Sequence, residues 1–351
     1  MFWVPVHWHG MKKNIHCLNN KGLTDMDEIN IKAKVVGVDI SNERTTYAIV
    51  DIRGNIQAEE SFDTSLYPDV NDFVAVLSEK IVMLVETNGG YETIRSIGVS
   101  APSASSISGY IENAANLPWK GMIPLAVMLR ERIGLAVGMS NDAHVSALGE
   151  YAFGSAHGMK DFVIVCLGVG IGSCFFSDGR EHIGKHGYGG EFGHTCVADK
   201  GRPCGCGHQG CLETYVGAKG IVLTAKELMD ASDEPSLMRS LEKLSPRTIA
   251  ECCDKGDAMA IEVYRRTGYM LGIGLANYAS TVDPEAIILT GGISHAGKWL
   301  LEPARASFEE HVFGNLKGKV KVLASRLDDR ERDVLGASAL AWSVPEYSLF
   351  K

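Results

Sequence analysis

The sequence has no run of about 18 apolar residues, which excludes a membrane-spanning helix. Positive charge is scarce: Lys plus Arg number 34 against 43 Asp plus Glu, for a formal net charge of −9. That deficit argues against a protein built to follow a nucleic-acid backbone. The opening residues, Met1 to His9, lack the basic start and apolar stretch of a secretory signal. There is no Walker A sequence and no fixed-period repeat of the solenoid kind. The nine cysteines are an odd count, unevenly spread over 351 residues, and do not fit a secreted disulfide scaffold. The location expected from these absences is the cytoplasm. With 45% hydrophobic and 22% charged residues the chain can bury a sizeable core, and its length corresponds to roughly two domains. An acidic protein that handles phosphates needs a metal ion and backbone donors to hold them.

Residues 1–34 show no amphipathic period and are expected to form a disordered leader, with Met11 or Met26 as alternative starts. From residue 35 onward strands and helices alternate. Lys34–Ile40 reads as a buried strand, Thr45–Asp51 as its hairpin partner, and Arg53-Gly54-Asn55 turns into a third strand. Apolar spacing predicts a helix over Asp72–Glu86 and another over Leu125–Ile133, with strands at Ile94–Val99 and Leu135–Met139. Asp142 opens a helix to about Phe153. A second cycle follows, with a strand at Phe162–Leu167, a Gly-rich turn, and a strand to Phe176. Helices are predicted at 218–230 and 257–280, strands at Ala286–Leu289 and Val320–Ala324, and a closing helix at Asp333–Trp342. Each half starts with a hairpin of strands, which predicts two α/β lobes with a cleft between them.

The strongest chemical signal is His194 with Cys204, Cys206 and Cys211. Three thiolates and an imidazole complete a tetrahedral zinc shell and leave no open catalytic position, so a structural zinc knuckle is expected. Gly205, Gly207 and Gly210 allow the tight turns that aim the sulfurs inward. The pattern GxGxxG also occurs at Gly205–Gly210, but no strand precedes it, so it is not a dinucleotide site. Asn141-Asp142 stands at the carboxyl end of a strand, where ligands gather in open α/β sheets. Asp142 is equally readable as a helix N-cap. Glu191, His194 and Glu213 flank the knuckle, and two carboxylates with an imidazole suit the hydroxyls of a sugar. The turn Gly168-Val169-Gly170-Ile171-Gly172 offers bare N–H groups to an anion. Gly291-Gly292, after a strand, lets a flat ring lie close to the backbone.

Together these segments resemble the ROK family of repressors, open reading frames and sugar kinases, in particular its glucokinase-type members. The resemblance is carried by Asn141-Asp142-Ala143-His144, by Gly190-Glu191-Phe192-Gly193-His194 and by the run from Cys204 to Glu213. Asn116-Leu117-Pro118-Trp119 is similar to the family's sugar-contacting segment, and Leu289-Thr290-Gly291-Gly292 to its adenosine motif. The resemblance implies an α/β, two-lobed actin-like ATPase fold, ribonuclease H-like, with a zinc knuckle at 191–213. The lobes would span 35–140 and 141–332, with a helix at about 333–345 packing back on the first. It implies ATP-dependent phosphorylation of a hexose or N-acetylhexosamine, with Asp142 as general base. Asn116, Asn141, Asp142, Glu191, His194 and Glu213 would hold the sugar. Asp39 would help place Mg2+, and Gly168, Gly170, Gly172, Gly291 and Gly292 would hold ATP. His194, Cys204, Cys206 and Cys211 would bind structural Zn2+. The implied partners are a small-molecule sugar and ATP, with a homodimer as the assembly, and neither a membrane nor a nucleic acid.

One stretch departs from the family's kinases, which follow the first aspartate with a Gly-Gly-Thr turn. Here the residues are Ser41-Asn42-Glu43. Asn42 can take the left-handed conformation a tight turn requires. Glu43, however, sets a negative charge near the expected phosphates, a repulsion of about 4 kcal/mol at about 4 Å in a medium of dielectric about 20. Arg44, or a rotated Glu43 side chain, would relieve it. The family's repressors lose such phosphate contacts and keep the sugar and zinc residues, so a sugar-binding regulator is the alternative. Residues 1–34 are too short and unpatterned to supply the helix-turn-helix such a regulator carries.

Overall fold

The computed structural model describes residues 32–114 and 116–345, so most of the leader expected at 1–34 lies outside the described residues. Strands β1 (Lys34–Ile40), β2 (Arg44–Asp51) and β3 (Ile56–Asp63) form an antiparallel meander. Helix α1 (Val70–Thr87) starts two residues earlier than its apolar period indicates. The Asp69 carboxylate accepts from the Asn71 and Asp72 N–H groups, at 2.7 and 3.3 Å, and so caps it. Then come β4 (Ile94–Ser100), the two-residue strands β5 (Ile111–Glu112) and β6 (Met122–Ile123), α2 (Leu125–Ile133), β7 (Ala136–Ser140) and α3 (Asp142–Ala152). The first sheet runs β3-β2-β1-β4-β7, with β1, β4 and β7 parallel.

The second half repeats that plan. It comprises β8 (Phe162–Leu167), β9 (Ile171–Ser177), β10 (Arg180–Glu181), α4 (Glu213–Val216), α5 (Ala218–Ala231), α6 (Pro246–Asp254) and α7 (Ala258–Val282). The chain finishes with β11 (Ala286–Thr290), α8 (Lys298–His311), β12 (Lys321–Ala324) and α9 (Asp329–Ser343). Its sheet runs β10-β9-β8-β11-β12, the same order of meander and parallel strands as the first. Central strands such as β8 and β11 are continuous apolar runs because both of their faces are covered.

Two of these helices lack a clear sequence signal. Pro303 lies inside α8, where a proline removes a backbone donor and ordinarily argues against a helix. It is accommodated against α7, where a side chain at Gly268 would meet the Pro303 ring at 2.6 Å. Helix α6 is short and polar on its outer face; its start is set by Ser245, which accepts from the Thr248 N–H at 3.2 Å.

The halves exchange a helix. Helix α3 follows the first sheet in sequence but packs on the second, with Ala147 among Phe162, Ile164, Phe176 and Ile288. Helix α9 follows the second sheet and returns to the first, burying Val334, Ala341 and Trp342 against Val35, Ala48 and Val50. Its close approach requires glycine on the facing strands: a Cβ at Gly98 would lie 2.0 Å from the Ala337 carbonyl oxygen. The exchanged helices touch each other at Gly149 and Gly336. Their amino-terminal turns therefore open toward one another, where the first residues of both helices meet the ends of β1 and β11.

Candidate active site

Asn141, not Asp142, caps α3: its Oδ1 accepts from the His144 N–H at 2.9 Å. The cap reading of Asp142 is thereby corrected. Asp142 occupies the first helical position, and its Oδ1 accepts from the Ala143 N–H at 2.9 Å. Asp142 is exposed to solvent, yet enough protein surrounds it that desolvation pushes its carboxyl above the ordinary carboxylate range, with the Asp333 charge acting in the same direction and Arg332 opposing. Asp39, at the end of β1, is pushed up to about 7 by burial first and by Asp333 second. Asp142 also contributes to that rise, and Arg332 again opposes it.

Arg332 and Asp333 carry no functional signal in the sequence, where apolar spacing starts the closing helix only at Asp333. The helix starts at Asp329, which puts both in its first turns. Arg332 bonds Asp333 through Nε at 2.7 Å and Nη2 at 2.9 Å, and Thr290 Oγ1 through Nη1 at 2.9 Å. Asp39, Asp142 and Asp333 thus share one guanidinium. The three carboxylates do not gather closely enough to enclose an ion by themselves; a hard cation that takes one carboxylate and keeps its waters and a substrate's phosphate oxygens, such as magnesium, fits that spacing.

The ligand atoms of His194, Cys204, Cys206 and Cys211 all lie within 4.8 Å of one another. A tetrahedral zinc with bonds of about 2.3 Å to sulfur and about 2.1 Å to nitrogen separates two sulfurs by about 3.8 Å, and sulfur from nitrogen by about 3.6 Å. Cys206 Sγ and Cys211 Sγ are 3.7 Å apart, and Cys204 Sγ and His194 Nδ1 are 3.6 Å apart. The four residues fit such an ion. Nδ1 of His194 faces the sulfurs, while Nε2 lies 4.0 Å from Glu191 Oε2, and both of these side chains are accessible. The loop is anchored from behind by Arg202, another residue with no sequence signal. Its Nη1 donates to the Thr214 and Gly220 carbonyls, each at 3.0 Å, and its Nη2 to Thr224 Oγ1 at 2.9 Å.

Glu213 links this knuckle to the glycine turn. Its Oε2 accepts from the Ile171 N–H at 3.0 Å, and a Cβ at Gly170 would lie 2.4 Å from that oxygen. Gly168 and Gly172 close the same turn between β8 and β9, whose outermost residue, Val169, is exposed. Gly291 has φ +86°, and a Cβ there would lie 2.6 Å from the Leu167 carbonyl oxygen. Beside it, Gly292 faces open space, with no atom within 4 Å of a Cβ position. Asn116 is exposed on a turn held in place by Trp119, whose Nε1 donates to the Tyr67 carbonyl at 3.0 Å. Ser41-Asn42-Glu43-Arg44 is exposed and closes without a left-handed residue, contrary to the conformation expected of Asn42. The Ser41 hydroxyl substitutes for that conformation, donating to the Arg44 carbonyl at 2.8 Å and accepting from its N–H at 3.1 Å.

The ROK family model matches residues 35–344. A glucokinase of Halalkalibacterium halodurans is 32% identical over 287 residues, covering 79% of this chain and 86% of that one. The crystal structure of a ROK family glucokinase from Streptomyces griseus, in complex with glucose and AMPPNP, is similar with a TM-score of 0.73 and 30% identity, over 88% of this chain and 99% of that one. A ROK family transcriptional regulator, a homologue of the E. coli MLC protein, is similar with a TM-score of 0.80 and 25% identity, over 90% of this chain and 79% of that one. No helix among the described residues is long and apolar enough to cross a membrane. On the span and strength of these matches, the chain belongs to the ROK family.

Proposed function

We propose that this protein phosphorylates a hexose or N-acetylhexosamine with ATP, in the cleft of a two-lobed, actin-like fold. The lobes would be 35–140 and 141–332, with the closing helix packed on the first. One observation carries the reading: Asn141 takes over the cap of α3 and leaves the Asp142 carboxylate near Asp39 and Asp333, accessible to a substrate and available for proton transfer. The likeness to a glucokinase that holds glucose and AMPPNP supports it.

In the proposed mechanism, Asp142 accepts the proton of a sugar hydroxyl as its oxygen bonds to the γ-phosphorus. The bond from that phosphorus to the bridging oxygen of ATP breaks, and ADP leaves. Positioning and charge neutralisation supply most of the rate. Asp39 would hold Mg2+, which supplies neutralising charge to the phosphates when bound. Glu191 and the free Nε2 of His194 would bind sugar hydroxyls. Asn141, with its Oδ1 engaged in the cap, has its Nδ2 to donate. Glu213, with Oε2 engaged by Ile171, has Oε1 to accept, and Asn116 would close over the sugar from the first lobe. Gly168, Gly170, Gly172, Gly291 and Gly292 would admit the phosphates and adenosine. Zinc on His194, Cys204, Cys206 and Cys211 would fix the sugar-binding loop, and a homodimer would be the working assembly.

A coupled ADP-release assay over a panel of hexoses tests this reading. Sugar-dependent ADP release with at least one hexose is expected. The second reading, a sugar-binding regulator, is favoured by Glu43 in the phosphate turn and by the likeness to the ROK transcriptional regulator. Saturable binding of a hexose without any ADP release would establish it instead.

A further inference from the structure

A second group of metal-ligating side chains lies beneath α3, away from the knuckle. His144 comes from the first turn of α3, Cys174 from β9 and Glu181 from β10. Their ligand atoms all lie within 4.8 Å of one another, and among the described residues only the knuckle shows another such gathering of His, Cys and carboxylate groups. His144 Nδ1 contacts Glu181 Oε1, and Cys174 Sγ lies 3.8 Å from the same oxygen. Cys174 is fully buried, and the side chains of His144 and Glu181 are only 5% and 11% exposed. The surrounding layer is apolar, built from Ala147, Phe162, Ile164 and Phe176.

A carboxylate buried in such a layer is costly unless its charge is balanced. A thiolate, a carboxylate and a neutral imidazole around a dication make a complex with no net charge. The mixed sulfur, nitrogen and oxygen set suits zinc, whereas magnesium and calcium prefer oxygen alone. Three protein ligands leave a fourth position for water, reachable at the edge of the sheet where Glu181 lies on β10. We propose that His144, Cys174 and Glu181 form a second zinc site, which ties the first turn of α3 to the β9–β10 hairpin two residues from Asp142.

The test uses the full chain, stripped with a chelator, dialysed and titrated with Zn2+ alone or Co2+ alone. Wild type should bind about two ions per chain, whereas Cys174→Ser and, separately, Glu181→Gln should bind about one, with the knuckle's three-thiolate cobalt spectrum and the far-ultraviolet dichroism retained. A Cys204→Ser, Cys206→Ser double variant should keep a cobalt–thiolate band at roughly one third of the knuckle's intensity, since one thiolate remains in place of three. If Cys174→Ser does not fold, His144→Asn and Glu181→Gln, which keep the side-chain size, answer by the same count. Wild type binding a single ion that Cys174→Ser and Glu181→Gln also bind would overturn the proposal, and the trio would then be a hydrogen-bonded link. Loss of metal only in the Cys206 variants would leave the knuckle standing and remove this site.

Discussion

Arg332 grips the carboxylate of Asp333 with two hydrogen bonds, at 2.7 and 2.9 Å, while its remaining nitrogen reaches Thr290 at the end of β11. The pair ties the start of the closing helix, which packs on the first sheet, to the strand end that leads into Gly291-Gly292 on the second. It also places one fixed positive charge where Asp39, Asp142 and Asp333 converge. A bidentate guanidinium–carboxylate pair holds geometry as well as charge, and lysine cannot reproduce it.

Arg332→Met should therefore lower kcat/KM by about 10–100-fold, the range expected for losing a charge-assisted hydrogen bond of about 1.5–3 kcal/mol. Arg332→Lys should recover only part of that loss. Steady-state kinetics with the hexose identified by the ADP-release panel would measure both. Equal activity in all three proteins would confine Arg332 to a structural role.

Asp142→Asn should separate chemistry from binding. Turnover should fall by about 10²–10⁴-fold, the usual contribution of a general base, with sugar affinity within a few-fold of wild type. The helix should stay intact because Asn141 caps it; conversely, Asn141→Ala should cost about 1 kcal/mol of stability. The pH profile carries the sign. A base must be ionised to act, and desolvation by the surrounding protein raises the Asp142 pKa, so kcat/KM should decline as pH falls through a value above the ordinary carboxylate range. Removing the positive charge in Arg332→Met raises that pKa further and should move the acid limb to higher pH. A limb at the position of an exposed aspartate would remove Asp142 from the role of base.

The elements with strong periodicity were legible in the sequence: the hairpins that open each half, the strand before Asp142 and the helices over 218–230 and 257–280 all appear, within a few residues. So was the cluster of knuckle ligands, because three cysteines within eight positions, close behind a histidine, form a metal-ligand pattern along the chain itself. Helix α8 was not, because its interior Pro303 is compensated only by a groove on α7 that forms in three dimensions. Arg332 and Asp333 were missed for a related reason. Their meaning depends on α9 crossing to the first sheet, which no local pattern encodes. Asn141 and Asp142 illustrate a finer limit: both residue types cap helices, and only the hydrogen bond to His144 shows which one does. The engagement of Glu213 with Ile171 is equally invisible, since 42 residues separate them.

That bond links the end of the cysteine-rich loop to the glycine turn. Cys206→Ser should remove about one zinc per chain and weaken sugar binding, since four-ligand sites hold their loops through the metal. Because Glu213 lies two residues beyond Cys211 and holds the Ile171 N–H in the glycine turn, the KM for ATP should rise as well. Glu213→Gln keeps a carbonyl acceptor for that N–H but loses the charge, so it should impair sugar binding more than ATP binding. Metal analysis together with both Michaelis constants checks each part. An unchanged KM for ATP in the zinc-free variant would show that the turn is held without Glu213.

The phosphate turn offers the most direct contest between the two functional readings. Ser41 closes it with its own hydroxyl, and Glu43 is exposed at its tip. Replacing Ser41-Asn42-Glu43 by Gly-Gly-Thr removes the negative side chain and frees backbone N–H groups for an anion. If Glu43 repels the phosphates, even 1.4 kcal/mol of relief, a fraction of the roughly 4 kcal/mol available at close range, lowers the KM for ATP about tenfold. Sugar affinity should not change, because Asn116, Asn141, Glu191 and His194 lie outside the turn. Calorimetric titration of ATP and of sugar into both proteins distinguishes the outcomes. Tight ATP binding by wild type with no gain on replacement means that Glu43 points away from the nucleotide and the turn is a neutral variant. ATP binding by neither protein, with sugar bound by both, means that the nucleotide site is lost beyond this turn, and the regulator reading then replaces the kinase.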